Sequence, residues 1–112
     1  FVKKAVARFE NVQAESWQGL LTDYAAQKGA TVLVKGARNV CDFDNEYQMS
    51  LINRSIKPDL ETLILPASAP YIHFSSSMAR EMIRYRQPLE RYLPPEIAAD
   101  VAKIAEQKHI GR

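Results

Sequence analysis

Two short apolar runs constrain the fold of this 112-residue chain more than any other feature. Residues 31–34 (TVLV) and 62–65 (TLIL) are rich in β-branched side chains and show no polar alternation. This pattern is typical of strands that are buried on both faces. Helical patterns precede, separate and follow the two runs. Helices that alternate with doubly buried strands predict an α/β fold with a parallel sheet wrapped by helices.

The remaining elements are predicted from apolar periodicity and from stop signals. Gly29 and Pro58 are helix stops, three serines cap a later helix, and Pro94-Pro95 opens the last one. A chain of this length has room for one domain with one core, so residues 1–112 are predicted to form a single domain. The predicted helices cover residues 1–9, 20–28, 42–57, 78–86 and 94–107, and a further short strand covers residues 12–14.

Composition and charge narrow the classes of function. The chain is 46% hydrophobic and 25% charged, as globular proteins are, and no apolar run approaches the ~20 residues that a membrane helix needs. Nothing reads as a signal peptide. The single cysteine, Cys41, excludes an internal disulfide and fits a reducing compartment, so we expect the cytoplasm. A net charge of +2 argues against a nucleic-acid partner.

Cations and hydroxyls follow the two predicted strands, where ligands bind in sheets of this kind. Lys35-Gly36-Ala37-Arg38 comes after the first strand and places two cations around a glycine. Ser75-Ser76-Ser77 comes after the second strand, at the start of a helix whose dipole favours an anion. Phosphate binding explains both segments. Solvated loop charges for the first and a plain helix cap for the second are the alternatives.

The residues around these segments resemble a known family. Residues 31–65 (TVLVKGARNVCDFDNEYQMSLINRSIKPDLETLIL) and 73–82 (HFSSSMAREM) are similar to bacterial phosphopantetheine adenylyltransferases. Those enzymes carry R-G-L-R after a strand, then D-F-x-x-E-x-Q, N-R, P-E-L-E-T and I-S-S-[ST]-x-x-[RK]. The resemblance covers essentially the whole chain. It implies a Rossmann-like nucleotidyltransferase fold that makes dephospho-coenzyme A and pyrophosphate from ATP and 4′-phosphopantetheine in coenzyme A biosynthesis.

The resemblance also implies a role for each matching residue. Lys35 stands where the family usually has an arginine that holds the pantetheine phosphate, and Arg38 is placed on the ATP phosphates. The other residues implied in ATP binding are Gly36, Ala37, Glu46, Tyr71, Ile72, His73, Phe74, Ser75, Ser76 and Ser77. Those implied near the pantetheine arm are Leu20, Leu21, Asn53, Glu81 and Met82.

The residue types fit such a transfer. A phosphate monoester is already ionised at neutral pH and needs no general base, so positioning and charge stabilisation suffice. Mg²⁺ bridging the phosphates is the expected cofactor, held more by substrate than by protein. We expect no metal site in the chain itself, since His73 has no histidine or cysteine partner. Asp42 and Asp44 are interpreted as carboxylates favoured by the helix dipole, without a role in the site.

One part of the family pattern is absent. The N-terminal motif G-[ST]-F-D-P-x-x-x-G-H, whose histidine stabilises the transition state, is missing from this chain, and with it a first βαβ unit. We therefore expect the chain as given to be inactive by itself. A non-catalytic nucleotide-binding domain, or another nucleotidyltransferase of the superfamily, is the alternative. The family is hexameric, so the resemblance implies a homo-oligomer.

Overall fold

The structure is a computed structural model that describes residues 1–108. His109, interpreted as part of a C-terminal tail, lies outside the described residues. The helices are α1 (Val2–Val6), α2 (Leu21–Lys28), α3 (Val40–Ile56), α4 (Ser76–Arg84) and α5 (Pro95–Gln107), and the strands are β1 (Val32–Ala37) and β2 (Glu61–Pro66). Short 3₁₀ turns cover Ala69–Tyr71 and Leu89–Arg91. No helix among the described residues is long and apolar enough to cross a membrane.

Contacts divide the chain into two compact units, each described by itself. One unit runs from Trp17 to His73 and holds α2, β1, α3 and β2. The other combines Phe1–Ser16 with the chain from Phe74 onward, and holds α1, α4 and α5.

The strands of the first unit pair in parallel, as predicted. The register sets Val32 opposite Glu61 and Ala37 opposite Pro66. The Ala67 N–H extends the ladder by donating to the Ala37 carbonyl at 2.8 Å. Helix α3 connects the strands and packs against both. The carboxyl ends of β1 and β2 therefore lie side by side at one edge of the sheet.

Local signals determine where the helices of this unit end. Gly29 adopts the left-handed conformation (φ 68°, ψ 23°) directly after α2. Its N–H donates to the Ala26 carbonyl, and the Ala30 N–H donates to the Ala25 carbonyl, which together close the last turn. Helix α3 ends just before Lys57, which precedes Pro58 and has left the helical region (φ −132°, ψ 89°).

The prediction that both strands are buried on two faces is wrong for this structure. The face of the sheet on the side of α3 is partly covered, and it carries Leu33, Lys35, Thr62 and Ile64. On the opposite face the exposed fractions are 43% for Val32, 62% for Val34, 55% for Leu63 and 54% for Leu65. The reason is that α3 covers one side of the strand pair, and no other described element packs closely against either strand.

Two further predictions near the N-terminus need correction. Helix α1 is shorter than the predicted residues 1–9, because after Val6 the chain continues in turns, with the Phe9 N–H donating to the Val6 carbonyl. Residues 12–14 form no strand, since the sheet contains only β1 and β2 among the described residues. Three residues give too short an apolar pattern to specify a strand without a partner to pair with.

The second unit is helical and has a small apolar core. Its buried apolar residues are Leu89, Ile97, Ala98 and Ala105. Helix α1 packs against α5, with ion pairs between Lys4 and Asp100 and between Arg8 and Glu96 on the surface. Such exposed pairs contribute little stability, so apolar packing holds the helices together.

Candidate functional site

The carboxyl end of β1 carries the two cations that the sequence singled out. Lys35 lies on the covered face of the strand, and its Nζ is 3.4 Å from Glu46 Oε2 on α3. Arg38 follows the strand directly, and its Nε donates to Asp42 Oδ2 at 2.8 Å. Each cation therefore has a carboxylate partner from the first two turns of α3.

Helix geometry explains why both carboxylates reach this place. Asp42 and Glu46 are four residues apart, so they lie one above the other on the same face of α3. That face is turned towards the end of β1, as both ion pairs show. The helix begins at this point because Asn39 caps it, with its Oδ1 accepting from the Asp42 N–H at 2.8 Å.

Asp42 is a residue that the sequence prediction undervalued. It is more than a partner of the helix dipole, because its carboxylate accepts from Arg38 Nε and, at 3.3 Å, from Nη2. The hydrogen bonds and the charge of Arg38 hold the pKa of Asp42 below its usual value. The hydrogen bond to Asp42 and the charge of Asp42 in turn raise the pKa of Arg38. Arg38 lies before the first turn of α3, so the helix rule for residues four apart does not apply to this pair, and the sequence alone did not indicate it.

Gly36 and Ala37 lie between the cations and face opposite sides of the sheet. Ala37 is buried, whereas Gly36 is exposed. Gly36 has an ordinary strand backbone, and a Cβ added to it would meet no atom of the described residues within 4 Å. The strand continues through Ala37, so it does not end at Gly36. The fold thus does not require a glycine at position 36, and the space beside this residue is open to a ligand.

Asn53 lies farther along α3 and is buried. It is seven residues from Glu46, which corresponds to about 10 Å along the helix and nearly the same face. A substrate group would have to enter the space between α3 and the sheet to contact its side chain.

Leu20 and Leu21 stand at the start of α2 in the same unit. Leu20 precedes the helix in an extended conformation, and its carbonyl accepts from Trp17 Nε1 at 3.0 Å. The Trp17 ring also packs against Tyr24, with the ring centroids 5.2 Å apart. Both leucines are exposed and offer apolar surface to a ligand.

The segment after β2 is divided between the two units. Tyr71 ends a 3₁₀ turn, and Ile72 and His73 follow it at the surface of the first unit. Phe74 belongs to the second unit, where its ring lies 5.9 Å from that of Tyr92.

The three serines lie at the start of α4, which begins at Ser76 and not at the predicted Met78. Ser75 is the N-cap, and its Oγ accepts from the Met78 N–H at 3.0 Å. Ser76 opens the helix, and Ser77 Oγ accepts from Arg80 Nη2 at 3.3 Å. The cap alone explains Ser75, and a phosphate role for the three serines stays a prediction. Glu81 is exposed and Met82 half-buried on the same helix.

Comparison with known proteins places the chain in a family. Residues 2–82 match the family described as cytidylyltransferase-like. The phosphopantetheine adenylyltransferase of Geotalea daltonii is 38% identical over 96 residues, which are 86% of this chain and 60% of that protein. Those of Heliobacterium modesticaldum (37% over 102 residues, 91% and 61%) and a Synechococcus species (38% over 97 residues, 87% and 61%) are equally similar.

The chain thus spans about three fifths of the length of the curated relatives it matches. The matched family region includes β1, α3 and β2 with both ion pairs, and it extends through the serine cap of α4. The α/β architecture with a parallel pair of strands agrees with that match. On these grounds the chain belongs to the cytidylyltransferase-like family of nucleotidyltransferases.

Proposed function

We propose that this chain is the portion of a phosphopantetheine adenylyltransferase that holds the phosphates of its two substrates. The enzyme would transfer AMP from ATP to 4′-phosphopantetheine, giving dephospho-coenzyme A and pyrophosphate. The observation that carries the proposal is the pair of cations at the carboxyl end of β1, each held by a carboxylate of α3. Relatives that share this region are named for that activity.

The spacing of the cations suits two phosphate groups. Three residues of extended chain span at most about 10 Å, so Lys35 and Arg38 can each hold one phosphate of two neighbouring substrates. Lysine acts as a point charge for the pantetheine phosphate, and arginine offers a planar fork to the ATP phosphates. Gly36, between them, leaves room for a ligand beside the backbone.

The reaction needs positioning more than proton transfer. An oxygen of the pantetheine phosphate attacks the α-phosphorus of ATP, a new P–O bond forms, and the bond from the α-phosphorus to the bridging oxygen breaks to release pyrophosphate. The attacking monoester is already an anion at neutral pH. Lys35 and Arg38 would offset the repulsion between the anions and stabilise the charge that moves to the leaving group.

Mg²⁺ is proposed as the cofactor, bound to the phosphates of the nucleotide. Within residues 1–108 no three histidine, cysteine, aspartate or glutamate side chains form a group that could hold a metal ion. At the carboxyl end of β1, Asp42 and Glu46 are paired with cations. The donors at this end of β1 therefore do not fit a metal site. Magnesium held chiefly by substrate phosphates is compatible with this.

Cytoplasmic location and a homohexameric assembly are part of the same proposal. The single cysteine is exposed and unpaired by a disulfide, which suits a reducing compartment. Light scattering of the purified natural protein would give the assembly directly, and a monomer would contradict the hexamer.

The test is a product assay on the natural protein as its gene encodes it, with ATP and different phosphate acceptors. We expect dephospho-coenzyme A from 4′-phosphopantetheine and a loss of at least a hundredfold in kcat/KM for Arg38→Met. Arg54→Met is the matched control, because Arg54 binds Glu61 near the start of β2 at 2.6 Å. A preference for nicotinamide mononucleotide would favour another nucleotidyltransferase, and nucleotide binding without any product would favour a non-catalytic domain.

A further inference from the structure

We propose that Asp42 is a positioning residue, which holds the Arg38 guanidinium in the orientation that receives the ATP phosphates. This inference rests on the proposed function, since it assigns Arg38 to phosphate. Its first support is the side-chain geometry. Asp42 Oδ2 accepts from Arg38 Nε at 2.8 Å, and Oδ1 accepts from Nη2 at 3.3 Å. Two contacts along one edge fix the plane of the guanidinium, which a single contact would not.

The main chain of Arg38 is held by the same carboxylate. The Arg38 N–H donates to Asp42 Oδ2 at 3.1 Å, and the Asp42 N–H donates to Asn39 Oδ1 at 2.8 Å. The pattern resembles a reciprocal helix cap in which the acidic side chain reaches back beyond the cap residue. Arg38 is therefore tied to the first turn of α3 through both its backbone and its side chain.

Such anchoring favours binding because an arginine side chain has many rotamers to lose. A guanidinium that is already ordered loses less conformational entropy when a phosphate arrives. The contacts with Asp42 use two of the five guanidinium donors. The high pKa of Arg38 keeps it charged throughout.

The negative charge of Asp42 acts in the opposite direction, because it repels the phosphate. Both side chains are partly open to solvent, with exposed fractions of 34% for Arg38 and 26% for Asp42, so water and salt weaken that repulsion. Orientation is not screened by salt. We therefore expect the loss of Asp42 to weaken nucleotide binding, whereas a purely electrostatic role predicts tighter binding.

Asp44 supplies a matched control on the same helix. It lies two residues beyond Asp42, which is about 200° around the helix, and its carboxylate accepts from Gln48 Nε2 at 2.8 Å. Asp44→Asn removes the same charge at nearly the same distance along α3 without touching Arg38.

The experiment measures ATP and 4′-phosphopantetheine binding by calorimetry on the natural protein, on four single variants and on one double variant. The single variants are Asp42→Asn, Asp42→Glu, Asp44→Asn and Arg38→Met, and the double variant combines Arg38→Met with Asp42→Asn. Asp42→Asn keeps an oxygen acceptor for the Arg38 N–H. We expect it to weaken ATP binding about tenfold, with 4′-phosphopantetheine binding and the Asp44→Asn control within twofold of the natural protein. Asp42→Glu restores the charge on a longer arm and should recover part of the loss.

Adding Asp42→Asn to Arg38→Met should cause no further loss, because a positioning residue acts only through the residue it positions. A merely structural residue would weaken both substrates and would still do so in the Arg38→Met background. ATP binding by Asp42→Asn that equals or exceeds that of Asp44→Asn overturns the inference while leaving the proposed function intact. Unchanged ATP binding by Arg38→Met overturns both. If Asp42→Asn does not fold, the Asp42→Glu variant decides by the same comparison.

Discussion

Gly36 and Gly29 both have open space around them, but only Gly29 has a backbone conformation that favours glycine. Replacing each by alanine therefore distinguishes an effect on folding from an effect on ligand binding. A Cβ built at either position meets no atom within 4 Å in the part of the chain that the structure describes. Gly29 has φ +68°, whereas Gly36 lies in β1 outside the left-handed region. The two substitutions therefore differ in backbone strain alone, as far as the folded chain is concerned.

The magnitudes follow from that difference. Gly36→Ala should stabilise the protein by about 0.4–1 kcal/mol, because alanine reduces the conformational entropy of the unfolded chain. Gly29→Ala should destabilise it, because a left-handed alanine costs roughly 1–2 kcal/mol and the gain in the unfolded state offsets only part of this. The unfolded-state gain is common to both variants, so with a urea m-value of about 2 kcal/mol/M the two midpoints should differ by roughly 0.5–1 M.

ATP affinity should fall in the Gly36→Ala variant, although its stability rises. If a phosphate approaches the backbone between Lys35 and Arg38, the new methyl group displaces it. We then expect about tenfold weaker ATP binding, or about 1.4 kcal/mol, from a variant that is more stable than the natural protein. Gly29→Ala, at the end of α2, should leave the affinity of the folded protein unchanged.

The assays are urea unfolding followed by Trp17 fluorescence and calorimetric titration with ATP. Equal destabilisation by both substitutions would refute the backbone argument. Stabilisation by Gly36→Ala with unchanged ATP affinity would refute the close approach of a ligand to the strand.

Three other predictions concern single side chains. Thr22 is buried and its Oγ1 has no hydrogen-bond partner within residues 1–108, so Thr22→Val should raise the free energy of unfolding by about 1 kcal/mol in urea denaturation, and a decrease would contradict this. The folded-state pKa of Asp42 is lowered, so its ionised form stabilises the fold. The stability difference between the natural protein and Asp42→Asn should be present at pH 7 and should close as pH falls below about 4, whereas a pH-independent difference in acid melts would contradict the pairing. Lys35→Arg should tighten 4′-phosphopantetheine binding roughly three- to tenfold in calorimetry, because arginine adds a bidentate fork, and no change would count against Lys35 as its ligand.

Local signals in the sequence predicted most element boundaries correctly. Gly29 ends α2, Pro58 follows the end of α3, and Ser75 caps α4, each through a backbone preference or a hydrogen bond of the residue itself. Pro95 is the first residue of α5, since proline fits a first turn. Such features depend on residues within one helical turn, so sequence alone suffices for them.

Burial of the strands could not be predicted in the same way. Val34 and Leu63 are apolar residues of the kind found in strands that are buried on both faces, but in the structure they lie on an exposed face. A strand's own sequence shows which surface it can bury, while the element that covers the surface comes from elsewhere. The same holds for Lys35 and Glu46, eleven residues apart in sequence, whose contact needs the whole turn from β1 into α3.

The candidate site was predicted in part. Lys35 and Arg38 were singled out because both follow the predicted strand. In the structure Arg38 follows β1 directly, whereas Lys35 lies within the last half of the strand. Asp42 was assigned to the helix dipole because acidic residues are common in first turns. Only the three-dimensional contacts show that its carboxylate holds Arg38 through both side chain and backbone.

The most direct test of the account is the formation of dephospho-coenzyme A by the natural protein, measured with and without the Arg38 side chain. We expect ATP and 4′-phosphopantetheine to yield dephospho-coenzyme A and pyrophosphate in equal amounts. We also expect Arg38→Met to lower kcat/KM at least a hundredfold, while Arg54→Met leaves it within twofold. Equal activity of the two arginine variants would contradict the assignment of phosphate binding to the carboxyl end of β1.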